Sequence, residues 1–98
     1  MITLPSHILA VGEARLLSWQ LKRDGSTVTP EAATILILDG GDEAVVEASA
    51  GISGQTIYYL LNEANIMAVA GRYVVYWTVL LANSEIVKVK QVVSIEAA

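Results

Sequence analysis

The stretch from Ala70 to Ser94, AGRYVVYWTVLLANSEIVKVKQVVS, constrains the fold of this 98-residue chain more than any other segment. Tyr73, Val75, Trp77 and Val79 occupy alternate positions, and so do Val87, Val89, Val93 and Ile95 after them. A period of two gathers such side chains on one face of an extended strand, whereas a helix would scatter them around its axis. Asn83-Ser84 supplies a turn between the halves. The segment therefore predicts the closing hairpin of a β-sandwich, with Lys88, Lys90 and Ser94 on its polar side. Gln91 is the exception, a polar residue on the apolar side.

The same alternation recurs upstream. Ile8 to Val11 reads as a short edge strand, where the preceding Pro5 is tolerated because pairing has not yet begun. From Ala14 to Lys22, Leu17, Trp19 and Leu21 lie opposite Ser18, Gln20 and Lys22. Arg23-Asp24-Gly25-Ser26 is a turn, since Asp-Gly readily adopts the positive φ of tight connections. Thr27 to Ala33, with Pro30, reads as a connection between sheets. The run Thr34-Ile35-Leu36-Ile37-Leu38 predicts a central strand, covered on both faces or covered on one and meeting a partner with the other.

Asp39-Gly40-Gly41-Asp42-Glu43 forms a second hairpin turn, leading into a weaker strand from Ala44 to Ser49 with Val46 and Ala48 inward. Gly51 and Gly54 end that strand. Gln55 to Leu61 is apolar on both sides, with Ile57, Tyr59 and Leu61 opposite Tyr58 and Leu60. Asn62 to Ala70 suits either a short helical turn or a sheet-to-sheet crossover, and the crossover is the expectation. About seven strands at roughly ten-residue spacing predict one all-β sandwich domain over residues 1–98.

Composition narrows the function classes. The chain has 54% Ala, Val, Ile, Leu, Met, Phe, Trp, Tyr and Cys, with seven glycines besides. That exceeds the usual apolar share of ~45–50%. A small domain has little interior for such a surplus. Either the core is thick and the excess is scattered alanine, or part of it is buried against other chains. Ten acidic and six basic residues give a net charge of −4, and the six cations are dispersed along the chain, which argues against nucleic acid as a partner.

The chain has no cysteine, which removes disulfides, thiol nucleophiles and thiolate metal sites. Its longest apolar run, Tyr73 to Ala82, is about half the ~20 residues of a membrane span. Met-Ile-Thr-Leu-Pro-Ser-His lacks the basic and apolar regions of a secretory signal, so neither a membrane span nor a cleaved secretory signal is expected.

No constellation of catalytic residues emerges. A nucleophilic triad needs a base, and His7, near the start, is the sole histidine, without a Gly-x-Ser-x-Gly elbow anywhere. Asp39, Asp42 and Glu43 crowd one turn. Their spacing is not that of an EF-hand, and an acidic, solvated hairpin tip is expected in preference to a calcium loop. The glycines lead into no lysine-bearing helix, so they are turn residues. Lys88 and Lys90 are expected to shield an edge strand from unwanted pairing, with contact to nucleic acid or an acidic partner as the alternative. The chain is thus expected to be non-enzymatic, with no catalytic residue, no metal and no cofactor.

The Gly71-x-Tyr73 entry has the pattern of a tyrosine corner, in which the phenol bonds backbone of the preceding crossover and Val75 stands where immunoglobulin-like domains often carry cysteine. Together with Val11-Gly12, the Asp24-Gly25 turn, Pro30 leading to Ala33-Thr34-Ile35-Leu36-Ile37, and the strand ending at Trp77, it resembles a group of short bacteriophage head, neck and tail proteins with an immunoglobulin-like sandwich. The closing hairpin also resembles periplasmic copper-binding sandwiches with a Gly-x-Tyr-x-x-x-Trp strand. Their metal-binding histidines are missing here, so that function does not carry over.

The phage resemblance implies a virion structural protein, as a capsid accessory, neck or tail component assembled in the host cytoplasm. Its partners would be other virion proteins and copies of itself, in a homo-oligomer or symmetric assembly. The expected core comprises Leu17, Trp19, Leu21, Tyr73, Val75 and Trp77. Expected interface residues are Ile35, Ile37, Tyr58, Leu60, Ile66, Met67, Val69 and Tyr76. The alternative is a free-standing immunoglobulin-like binding or adhesion module that recognises a carbohydrate or protein, with exposed aromatics lining a groove.

Overall fold

The computed structural model describes residues 2–21 and 29–97. The expected Arg23–Ser26 turn lies outside them. Among the described residues, nine strands form two sheets: β1 (Ile2–Thr3), β2 (His7–Ala10), β3 (Arg15–Gln20), β4 (Pro30–Leu38), β5 (Ala44–Ser49), β6 (Gly51–Ser53), β7 (Thr56–Leu61), β8 (Gly71–Leu81) and β9 (Ile86–Glu96). The wide sheet runs β1-β9-β8-β4-β5, with β2 following β1 along β9, and the narrow sheet runs β3-β7-β6. β3 through β9 pair antiparallel, while β1 and β2 pair parallel to β9.

The core lies between the sheets. Ala33, Ile35 and Ile37 of β4, Tyr73, Val75, Trp77, Val79 and Leu81 of β8, and Val89, Val93 and Ile95 of β9 are buried from the wide sheet. Leu17, Ile57 and Leu61 meet them from the narrow one. The two tryptophans touch across the gap, with Trp19 edge-on to Trp77 at a centroid separation of 6.0 Å and an interplanar angle of 76°. Edge-to-face geometry places the positive ring edge against the negative face, which adds to the burial of two large apolar surfaces.

Gln91 has a structural reason for its place on the inward side. Pro5 has no N–H to give to a ladder, and the N-terminal segment leaves β9 between the Thr3–Lys90 and His7–Val93 pairs. The buried Gln91 amide donates to the Pro5 carbonyl at 3.2 Å and spans that gap. β1 and β2 cover β9 at Val89–Lys90 and Val93–Glu96, so Lys90 does not stand on an open edge, whereas Ile86–Lys88 have no paired strand on that side among the described residues. β4 likewise begins at Pro30, inside the segment expected to be a connection.

The crossover from β7 to β8 is built from turns, without helix. The Asn65 carboxamide oxygen accepts from the Asn62 and Ile66 N–H groups at 2.9 and 2.7 Å, and that of Asn62 accepts from Ala64 N–H at 2.9 Å. This local bonding turns Ile66 and Met67 into the end of the sandwich, where both are buried. The Tyr73 hydroxyl then donates to the Val69 carbonyl at 3.0 Å and fastens the crossover to β8. Burial, and the nearby Asp39 carboxylate, push the Tyr73 phenol above its usual pKa.

Candidate assembly surfaces

Pairing register defines what each sheet turns outward. On the wide sheet, Glu47, Leu36, Tyr76 and Lys90 form one row across β5, β4, β8 and β9. Ser49, Thr34, Thr78 and Lys88 form the next row, and Leu38, Val74 and Val92 lie on the other side of the first. Leu36, Leu38, Val74, Tyr76 and Val92 are half-buried by their neighbours. A shallow depression of about 420 Å³ opens on this face between Thr34, Leu36, Glu47, Ser49 and Thr78.

The narrow sheet presents a different surface. Leu16 stands opposite Leu60 and is 54% exposed, and Leu60 is 48% exposed. Ser18 and Gly51 flank Tyr58 on its two sides. The Tyr58 ring lies over Gly51 so closely that a methyl group there would fall within the ring. Glycine at this edge thus lets an aromatic side chain cover the backbone. Among the described residues, the only salt bridge joins Arg15 to Glu13, at 3.3 Å.

The expected interface residues divide. Tyr58, Leu60 and Val69 are exposed and Tyr76 is half-buried on the outward face. Ile35, Ile37, Ile66 and Met67 lie at 2% exposure or less inside the chain's own core, so they are unavailable to a second chain. For Ile35 and Ile37 the error is one of phase: in an apolar run, moving by one residue exchanges the two faces, and Leu36 and Leu38 are the outward members. Leu16, Leu36, Glu47 and Val74 are surface elements that the sequence reading missed. Their signal was parity with the buried residues beside them.

The other candidates stay apart from one another. His7 lies on β2 in register with Val93, and its ring has no hydrogen-bond or ion-pair partner among the described residues. The Asp39 carboxylate accepts from the Gly41 and Glu43 N–H groups at 2.8 and 3.1 Å, which commits it to the turn. No group of three or more His, Cys, Asp or Glu among the described residues could hold a metal ion.

The tyrosine corner, the strand order and the two facing sheets define the architecture. The fold is an immunoglobulin-like β-sandwich. No family model matches the chain, and no curated protein matches it. Among solved structures, CopC from Methylosinus trichosporium OB3b is similar at a TM-score of 0.67, with 24% identity over 94% of this chain and 84% of that one. The Ig1 domain of mouse SynCAM 2 is similar at a TM-score of 0.50, with 7% identity over 96% of this chain and 93% of that one. These likenesses concern the fold.

Proposed function

We propose that this chain is a non-enzymatic structural subunit that works through contact surfaces, of the kind that builds bacteriophage capsids, necks or tails. The observation that carries this reading is the apolar character of both outward faces. A sandwich of antiparallel sheets ordinarily turns polar residues to water. Here Leu16, Tyr58 and Leu60 stand beside Ser18 and Gln20 on one outward face, and Leu36, Leu38, Val74, Tyr76 and Val92 form an apolar band on the other. Two such faces on opposite sides of one subunit suit a repeating assembly. The assignment to a virion rests on the sequence resemblance.

Light scattering after size exclusion, across the micromolar range, tests the reading. A discrete oligomer, or a mass that grows with concentration, is expected. A monomer throughout that range overturns it. One observation favours a second reading, that of a binding module: the depression beside Glu47 offers the Thr34, Ser49 and Thr78 hydroxyls to a small polar ligand such as a sugar. A monomer that binds glycans and loses them on Glu47→Gln would support that alternative.

A further inference from the structure

The charges on the outward face of the wide sheet have a distribution that a second copy of this chain would satisfy. Lys88 and Lys90 stand on β9 toward one side of the face and Glu47 on the outermost strand β5 at the other, while Arg72, of the same parity as Val74 and Tyr76, stands at the start of β8. The register places Lys90 and Glu47 in one row with Tyr76 and Leu36 between them. Three strand spacings separate these charges, about 14 Å, too far for them to pair within the chain. None of Lys88, Lys90 and Glu47 has an ion-pair partner among the described residues. The row is thus positive at one end, apolar in the middle and negative at the other end.

We propose that two copies pair face to face through this sheet, about a two-fold axis that lies in the contact plane and runs along the strands between β4 and β8. The inference rests on the assembly reading and specifies one contact within it. Such an axis exchanges the margins, so β9 of one protomer lies over β5 of its partner. Lys90 then meets Glu47, and Lys88 lies over Ser49 and the adjoining depression. Both events occur twice, once on each side of the axis, as isologous contacts require. An axis running across the strands would instead leave each margin facing itself and set Lys90 against Lys90. Charge therefore selects the first arrangement over the second.

The centre of the contact is Leu36 and Tyr76, bordered by Val74 and Thr78. Tyrosine is favoured at such a position because its ring contributes a large apolar area at little cost in side-chain freedom. The size is adequate as well. The protein measures 42 × 22 × 21 Å, so its broad face spans at most roughly 900 Å², an upper bound that leaves room for the ~800 Å² per partner of a standard interface. Aligned packing of twisted sheets accommodates this contact with strands crossing at about 30°.

Sedimentation equilibrium of the full chain and its charge-reversal variants tests the proposal. Glu47→Lys and Lys90→Glu each set like charges against one another at both symmetry-related points. Each is expected to weaken self-association by at least about tenfold. An equimolar mixture of the two variants restores both pairings and is expected to associate as the unaltered protein does. The double variant is expected to regain association by itself. Single variants that disperse without recovery in the mixture overturn the proposal, as does an oligomer whose mass neither single variant changes. That last result leaves the assembly reading standing on the narrow sheet, whereas a monomeric unaltered protein overturns both.

Discussion

Residues of the same kind project from the wide and narrow sheets, yet they differ in accessibility. Leu36 and Tyr76 have paired strands on both sides and are half-buried, whereas Leu16 projects from the edge strand β3. Leu60 belongs to the central strand of its sheet, but β6 reaches only as far as the Gly51–Tyr58 pair, so Leu60 has a neighbour on one side alone. At these four positions the number of flanking strands, and not hydrophobicity, sets how much water the side chain meets. Outward residues of the wide sheet therefore contribute to the stability of the single chain. Those of the narrow sheet contribute less to it, because more of their surface stays in water.

The largest test of this contrast compares the tryptophans. Trp77 of the wide sheet is wholly buried, and its replacement by alanine is expected to cost about 3–5 kcal/mol in urea unfolding. Trp19 of the narrow sheet is only partly buried, so Trp19→Ala is expected to cost distinctly less. Equal losses would show that the two sheets bury their tryptophans to the same effect. Neither indole N–H has a hydrogen-bond partner among the described residues, so the difference reports packing and not polar bonding.

A smaller effect is expected at the link between the sheets. Tyr73→Phe removes the bond to Val69 and is expected to cost about 1 kcal/mol. The same substitution changes the alkaline limb of stability. Because the phenol is raised in the folded chain, the unfolded chain releases that proton first as pH climbs. This contribution is complete below the ordinary tyrosine value near 10 and declines above it. Unfolding measured on both sides of that pH should show a shallower alkaline decline for Tyr73→Phe. An identical slope would refute the link between Tyr73 burial and alkaline stability.

The smallest effects fall on the outward faces themselves. Leu36→Thr, on the half-buried face, is expected to cost about 1 kcal/mol in the dissociated chain. Leu60→Thr, on the exposed face, is expected to stay within ~0.5 kcal/mol. Denaturant midpoints at low protein concentration distinguish these values. The reverse order would show that the faces had been assigned the wrong way round.

Much of the sandwich was legible in the chain because most of its strands turn one side to water. Leu17, Trp19 and Leu21 alternate with polar residues, and their common face was unambiguous. The structure buries Leu17 and Leu21 and packs Trp19 on the core. Tyr73 was legible through a local motif whose bond spans four residues. The candidate surfaces were less so. In Thr34–Leu38 and Gln55–Leu61 both parities are apolar, and alternation carries no phase. Ile66 and Met67 depended on the Asn62 and Asn65 side chains, whose turn geometry aims them inward.

Local sequence specified the elements: strands of period two, turns where glycine and asparagine fall, a tyrosine corner, and a core built on two tryptophans. These are local properties, settled by backbone sterics and by side-chain alternation over a few residues. Long-range packing set how β9 is flanked, because covering part of it required β1 and β2 from the opposite end of the chain. It also decided that Glu47 and Lys90 share one row, since that row crosses three separate strand pairings. Register between distant strands comes from burying all inward faces at once, and no local pattern records it.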